Sequence, residues 1–171
     1  MKIAAYEVRE DEAEIMKKLA GKLGIDELVT TAEPLTLDTV HLAEGAAGVT
    51  TLGQSIIDEK VCQALKNVGV KGYSTRTVGY NHVNLKAAAE AGIRVSNATY
   101  SPHGVAEYTV MLILMTLRNY KPALYRINVN DYSLNGLIGK ELHDMTVGII
   151  GTGKIGAAVI QNLSGFGCKI L

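Results

Sequence analysis

Three glycines near the end of the sequence have the spacing of a phosphate-binding turn. Gly151, Gly153 and Gly156 form a G-x-G-x-x-G motif between an apolar run at 146–150 and a helical pattern at 154–163. In this setting Gly151 makes the tight turn, Gly153 lets a pyrophosphate approach the backbone, and Gly156 lets the helix lie close to the strand. The amides at the helix start then face the phosphates. We therefore expect the loop to cradle the pyrophosphate of a dinucleotide.

The same segment also begins another phosphate-binding motif. Gly148, Gly153 and Lys154 satisfy G-x-x-x-x-G-K, the start of a nucleoside triphosphate P-loop. That motif needs serine or threonine next to ligate magnesium, whereas Ile155 stands here, and Gly148 falls inside the predicted strand. The residues favour a dinucleotide over a triphosphate, and a glycine turn that binds nothing is the remaining alternative.

A dinucleotide-binding unit also carries an acidic residue about 20 positions after its glycine loop, which holds the adenosine ribose hydroxyls. Counted from Gly153 or Gly156, that position falls past Leu171, the last residue of the sequence. Residues 169–171 have the character of the second strand of the unit. We therefore expect an N-terminal portion of a longer protein, and its residues leave NAD or NADP open.

Strand-like and helical segments alternate from the first residue. The strand-like runs are 3–6, 28–31, 48–52, 70–75 and 93–96, and the helical segments are 11–23, 36–43, 57–68 and 85–91. Alternation at this pace predicts parallel strands joined by right-handed crossovers. We therefore expect residues 1–100 to form one small doubly wound α/β domain.

Ser101 and Pro102 open a different arrangement, because serine at an N-cap and proline at the first helical position start helices. The helix would run to about Arg118, and since it is apolar on most sides we expect it to pack between two bodies. Pro122 and the polar residues after it break the pattern. Residues 101–171 are expected to hold the start of a Rossmann-type dinucleotide-binding domain.

Composition narrows the class of partner. Seventeen basic residues balance seventeen acidic ones, which removes the electrostatic reason to expect nucleic acid or an anionic membrane. Cys62 and Cys168 form no CxxC pair, and the longest apolar stretch, 110–115, is far below the roughly 20 residues of a membrane helix. Three of the four histidines, His41, His103 and His143, lack metal-ligand spacing. We expect a cytoplasmic protein without a metal.

Two upstream motifs, taken with the glycine loop, resemble the D-2-hydroxyacid dehydrogenases. They are residues 74–83, STRTVGYNHV, and residues 97–107, NATYSPHGVAE. The similarity is greatest to the subgroup of D-lactate and D-2-hydroxyisocaproate dehydrogenases. It implies a flavodoxin-like substrate domain into which the nucleotide-binding domain is inserted. It also implies reduction of a small 2-oxo acid, such as pyruvate, to the D-hydroxy acid by hydride transfer from NADH.

The resemblance assigns substrate roles to four residues. The amides of the Val78–Gly79 turn would hold the substrate carboxylate, and free N–H groups in a turn suit an anion. Leu52 would shape the pocket for the substrate tail, where an aliphatic side chain suits a small or aliphatic acid. Tyr100 would lie at the cleft, near substrate and nicotinamide. The structural alternatives are that Gly79 only permits the turn, that Leu52 is an ordinary core residue, and that Tyr100 only packs against its neighbours.

Cofactor roles follow in the same way. Val105 would touch the nicotinamide side, as Tyr100 would, although any helix that faces a cleft needs such a residue. Lys154 and Ile155 match the pair in the glycine loop that covers the cofactor phosphates. The family also implies a homodimer packed through the helix at 101–118.

The sequence departs from the family in two respects. The Val-Gly turn is usually followed by Asp-Asn-Ile-Asp, whereas this chain has Asn81, His82, Val83 and Asn84, so local salt bridges there are in doubt. We interpret His82 as structural, because the family's general acid is a different histidine. That histidine, its glutamate partner and the carboxylate-clamping arginine match no residue of this chain and are expected beyond residue 171. The 171 residues alone are then expected to be inactive.

Two non-catalytic hypotheses stay open, because a fold does not fix a function. One is a dinucleotide-binding corepressor or regulatory protein of the same fold. The other is a half-length interaction module.

Overall fold

A computed structural model describes all 171 residues, Met1–Leu171. The chain folds into two compact units, Met1–Tyr100 and Ser101–Leu171. Each unit has its own hydrophobic core.

The first unit is a five-stranded parallel sheet with helices. Its strands are β1 (Lys2–Ala5), β2 (Glu27–Thr30), β3 (Gly48–Thr51), β4 (Gly72–Thr75) and β5 (Arg94–Asn97). Its helices are α1 (Glu10–Lys22), α2 (Glu59–Asn67) and α3 (Leu85–Glu90), with a 3-10 helix at Val40–Ala43. All neighbouring strands are parallel and their order is β2-β1-β3-β4-β5. This is the flavodoxin-like order, so the predicted α/β class is confirmed.

One row of side chains runs across the whole sheet and forms the centre of its core. Its members are paired in register on five adjacent strands: Val29, Ala4, Val49, Tyr73 and Val95. Successive side chains of a strand point to opposite faces, so this row faces α2 and α3 while its neighbours in sequence face away. Leu65 of α2 and Ala88 of α3 are almost fully buried against it.

The helix predicted at 36–43 is wrong for its first half. Only Val40–Ala43 is helical, as a 3-10 turn. The Thr39 hydroxyl accepts a hydrogen bond from the Thr36 amide at 2.9 Å and donates to the Pro34 carbonyl at 2.8 Å. Such bonds between side chain and backbone compete with helical bonds and favour turns.

The second unit contains three α-helices and two short parallel strands. They are α4 (His103–Leu117), α5 (Tyr120–Asn128), β6 (Thr146–Val147), α6 (Lys154–Ser164) and β7 (Lys169–Ile170), with a 3-10 helix at Leu142–Asp144. Its core lies where α4 packs on α6, and it includes Ala106, Val110, Ala158, Val159 and Leu163. On the remaining surface of α4, Tyr108, Met111 and Leu112 are exposed. None of the helices is long and apolar enough to span a membrane.

Two features of the helices in this unit differ from the sequence prediction. The helix at Ser101 begins at His103, with Ser101 Oγ accepting from the His103 amide at 3.4 Å. Pro122 does not end the helical region. The left-handed backbone of Asn119 (φ 49°) ends α4, and Pro122 lies in the first turn of α5, where its missing N–H leaves no helical bond unmade.

The strand predicted at 146–150 is limited to Thr146–Val147. Beyond Val147 a single ladder bond follows, from the Ile149 amide to the Leu171 carbonyl at 2.8 Å, and Ile150 is fully exposed. The residues in register are Thr146 with Lys169 and Val147 with Ile170. Gly148 therefore lies just past the strand instead of inside it.

Candidate functional site

The first candidate site lies where the parallel strands of the first unit end. In a sheet of this order the chain turns in opposite directions after β1 and after β3, which leaves a crevice at their carboxyl ends. Ligands of such folds bind at that edge. Two turns meet there, residues 52–55 after β3 and residues 77–80 after β4.

In the 77–80 turn the carbonyls are bonded and the amides are free. The Thr77 hydroxyl donates to the Gly79 carbonyl at 2.6 Å, and Asn97 Nδ2 donates to the Val78 carbonyl at 2.8 Å. The amides of Val78 and Gly79 make no hydrogen bond within the chain, and both residues are exposed. Two adjacent free N–H groups at the end of a strand can bind a carboxylate.

Gly79 is not needed to form this turn. Its φ lies outside the left-handed region, and a Cβ placed on it would meet no atom within 4 Å. The turn would therefore accept alanine, and the alternative that Gly79 merely permits the turn has no geometric support.

In the 52–55 turn all four amides are already bonded, and one side chain accepts all of them. Glu7 lies two residues past β1, and its Oε2 accepts from the amides of Leu52, Gly53 and Gln54 at 2.7, 2.6 and 3.0 Å. Its Oε1 accepts from the amide of Ser55 at 2.6 Å and from the Ser55 hydroxyl. This turn therefore has no free backbone donor for a ligand, and Leu52 contributes only its half-buried side chain.

The environment of Glu7 keeps its carboxylate ionised. Burial raises the pKa of Glu7, but hydrogen bonds from Ser55 and from the backbone amides of Gln54 and Leu52 outweigh it, so the pKa lies below its ordinary value. A carboxylate that accepts several N–H bonds is stabilised in its charged form. The side chain is buried, with the whole residue 4% exposed.

The two turns touch each other. A Cβ placed on Gly53 would lie 3.0 Å from Thr77 Cγ2 and 3.7 Å from the ring of His82. Gly53 has φ 120°, which only glycine adopts readily. The loop that carries Leu52 therefore packs directly against the start of the Val78–Gly79 turn.

The His82 side chain belongs to a row of hydrogen-bonded polar side chains next to the turn. Its Nε2 lies 3.5 Å from the Tyr73 hydroxyl, which is 2.7 Å from the Thr51 hydroxyl. Burial raises the pKa of Tyr73, so its hydroxyl stays protonated. Of the family departures, Asn84 has a defined use, because its side chain caps α3 by accepting from the Ala87 amide at 3.0 Å.

An arginine ties the same strand ends together. Arg76 donates to the carbonyls of Tyr6 and Glu7 at 3.1 and 2.8 Å, and its guanidinium lies 3.3 Å from the Glu12 carboxylate. Neither Glu7 nor Arg76 was predicted from the sequence as part of a site. Each acts on residues more than 40 positions away, and no local spacing signals that.

The second candidate site is the glycine loop of the other unit. Gly151 has φ 93°, and a Cβ on Gly156 would lie 2.1 Å from the Gly151 carbonyl oxygen, so α6 can approach the loop only through glycine. Gly153 precedes α6 as its N-cap without a capping side chain, and a Cβ there would meet nothing within 4 Å. The amides of Lys154 and Ile155 make no hydrogen bond within the chain.

The remaining predicted residues are accessible within their own units. Tyr100 is 60% exposed and lies outside any helix or strand. Val105 lies in the first turn of α4 and is 38% exposed, while Lys154 and Ile155 are exposed at the start of α6. No group of three or more His, Cys, Asp or Glu side chains is placed to hold a metal ion.

Comparison with known proteins identifies relatives over nearly the whole chain. The model of the family "D-isomer specific 2-hydroxyacid dehydrogenase, catalytic domain" matches residues 3–167. An aromatic 2-oxoacid reductase of Clostridium sporogenes is 42% identical over 99% of this chain and 51% of its own length. A D-specific alpha-keto acid dehydrogenase of Enterococcus faecium is 41% identical over 99% of this chain and 52% of its own. The chain therefore spans about half the length of the curated relatives it matches.

Solved structures agree with the fold. The apo structure of D-lactate dehydrogenase from Escherichia coli superimposes with a TM-score of 0.83 at 33% identity, covering 98% of this chain and 53% of that one. The structure of D-lactate dehydrogenase with NAD⁺ from Lactobacillus jensenii has a TM-score of 0.74 at 30% identity, covering 99% and 52%.

Proposed function

We propose that this chain supplies two binding elements of an NAD-dependent 2-oxo acid reductase, because it belongs to the D-isomer-specific 2-hydroxyacid dehydrogenase family. Residues 1–100 form the substrate domain and bind the 2-oxo acid, and residues 101–171 form the start of the nucleotide-binding domain. The product is the D-2-hydroxy acid.

The contrast between the two turns carries this proposal. Both lie at the carboxyl edge of the sheet, but the amides of the 52–55 turn are saturated by Glu7, whereas those of Val78 and Gly79 are free. Of these two turns, only the 77–80 turn therefore offers free backbone amides to an anionic substrate. With its carboxylate on these amides, the substrate tail can extend toward Leu52, because the two turns are in contact.

The glycine loop fits the pyrophosphate of NAD. Gly153 leaves its backbone open, and the amides of Lys154 and Ile155 are free to donate. Lys154 adds a positive charge, and Ile155 with Val105 provides apolar surface for the cofactor. When bound, the dinucleotide supplies the hydride that reduces the carbonyl carbon. No side chain of this chain is proposed as the general acid.

We favour a small substrate of the pyruvate type, giving D-lactate. Leu52 is aliphatic and half-buried, and it leaves less room beside the turn than a small residue would. Relatives named for aromatic 2-oxo acids and for D-lactate both match the chain, so the size of the substrate's side chain is the property to be tested. We further propose a cytoplasmic homodimer that buries the exposed Tyr108, Met111 and Leu112 of α4, which light scattering would test.

The direct test is NADH oxidation by the native protein that contains this chain, with pyruvate, 2-oxoisocaproate and phenylpyruvate. We expect turnover with pyruvate, and a preference for NADH over NADPH. Binding of NADH without turnover of any acid would favour the regulatory alternative, and absence of both would refute the proposal.

A pair of variants tests the carboxylate turn itself. Gly79→Pro removes one free N–H and is expected to raise KM for pyruvate by about tenfold or more, the range of one lost hydrogen bond to a charged group. Gly79→Ala keeps the amide, and its Cβ meets no atom within 4 Å, so its kinetics should stay close to wild type. Equal KM values for the two variants would contradict the assignment of this amide.

A further inference from the structure

We propose that Glu7 is a positioning residue that sets substrate affinity and tail selectivity by holding the 52–55 turn in place. The inference rests on the proposed function, which assigns the neighbouring Val78–Gly79 turn and Leu52 to substrate binding. Glu7 contacts Leu52 only through its backbone amide, and makes no hydrogen bond to Val78 or Gly79.

The first observation is that one carboxylate organises an entire turn. Four consecutive amides, from Leu52 to Ser55, and the Ser55 hydroxyl all donate to Glu7. No other side chain accepts from these amides. Removal of the carboxylate therefore leaves the turn without the acceptor that fixes its backbone.

The second observation is the backbone of Glu7. Its φ is 55°, in the left-handed region that a residue with a long side chain rarely adopts. Two contacts hold it there: Arg76 donates to its carbonyl at 2.8 Å, and its own amide donates to the Glu33 carbonyl at 3.1 Å. Strained residues persist where the surroundings over-determine them, as happens at binding sites.

The third observation is the route to the substrate turn. The carboxylate joins the chain after β1 to the turn after β3, at the edge of the sheet where ligands bind in this fold. The turn it fixes contacts Thr77 through Gly53, and the Thr77 hydroxyl in turn holds the Gly79 carbonyl at 2.6 Å. Glu7 therefore holds Leu52 directly, and reaches the Val78–Gly79 turn through two intervening residues, Gly53 and Thr77.

The test uses two substitutions in the native protein. Glu7→Gln keeps the shape but places an NH2 group among N–H donors. Glu7→Gly removes the carboxylate and also relieves the left-handed backbone, so it separates the loss of hydrogen bonds from strain. Both variants should raise KM for 2-oxo acids by about tenfold with kcat within about twofold, since weaker ground-state binding acts on KM. KM for NADH should not change.

Tail selectivity is the readout that a merely structural role would not move. As Leu52 loses its fixed position, we expect the ratio of kcat/KM for phenylpyruvate over pyruvate to change by at least about fivefold. Glu12→Gln is the matched control, because it removes a charge from the same region but contacts Arg76 and not the turn. It should lower stability and leave that ratio unchanged.

Amide exchange of residues 52–55 tests the positioning without any activity. Loss of the carboxylate should speed exchange of these amides by at least about tenfold relative to Glu12→Gln. If the wild-type protein reduces no 2-oxo acid, the proposed function fails while faster exchange still supports the positioning role. Unchanged exchange, or unchanged KM and selectivity in both Glu7 variants of an active protein, would overturn it.

Discussion

Substitution of Gly156 is the sharpest test of the proposed dinucleotide-binding loop, because any side chain at this position would collide with the backbone. A Cβ at this position would lie 2.1 Å from the carbonyl oxygen of Gly151 and 3.1 Å from its carbon. A relaxed contact needs more than 3 Å, so α6 or the loop must move by about 1 Å. Overpacking of this kind costs about 1–3 kcal/mol.

Gly156→Ala is therefore expected to lower the free energy of unfolding by about 1–3 kcal/mol and to weaken NADH binding because the loop is displaced. Gly153→Ala is its matched control. Its Cβ would meet no atom within 4 Å, and its φ of −69° suits any residue, so stability should stay within about 0.5 kcal/mol. Its methyl group would nevertheless stand where the pyrophosphate approaches the backbone.

Urea unfolding and titration with NADH, followed by nucleotide fluorescence, separate the two effects. We expect Gly153→Ala to raise the Kd for NADH by at least about tenfold, a cost of about 1.4 kcal/mol, at unchanged stability. A stable Gly156→Ala protein would refute the packing argument. Normal NADH binding by Gly153→Ala would refute the assignment of the loop.

Three further predictions concern the first unit. Arg76→Met should cost about 2–4 kcal/mol in urea unfolding, because a largely buried ion pair and two carbonyl bonds are lost, whereas exposed Lys86→Met should cost less than about 1 kcal/mol. Because the pKa of Glu7 is lowered in the folded state, its stabilisation is present above its ordinary pKa of 4.5 and lost as pH falls through the folded value. The stability difference between wild type and Glu7→Gln should therefore shrink between pH 7 and pH 3, and a constant difference would contradict this. Burial raises the pKa of the Cys62 thiol, so it should react with a thiol reagent more slowly than partly exposed Cys168, and equal rates would argue against it.

Much of the fold follows from local sequence. The alternation of short strand-like runs with helical segments predicts the parallel sheet, because each kind of segment has its own periodicity. The glycines of the 151–156 loop predict its shape, since a positive φ at Gly151 and the close approach at Gly156 both exclude side chains. Such features depend on residues within a few positions of one another.

The failed prediction of a full helix at 36–43 has a different cause. The segment has helical spacing, and the Val40 amide donates to the Thr36 carbonyl at 3.0 Å. However, the Thr39 hydroxyl accepts from the Thr36 amide and donates to the Pro34 carbonyl, and only a short 3-10 helix forms. The periodicity of the segment cannot show this, because it depends on which competing partner reaches the backbone.

For the Val78–Gly79 turn, the sequence indicated which residues form it and, by resemblance, the substrate carboxylate that we propose they bind. Only the tertiary structure decided that the amides of Val78 and Gly79 are free while those of Leu52–Ser55 are not. That distinction depends on Glu7, which is 45 residues from Leu52 and reaches it only because β1 and β3 are neighbours in the sheet. The order of the strands brings the carboxylate to the amides, and no pattern along the chain records that order.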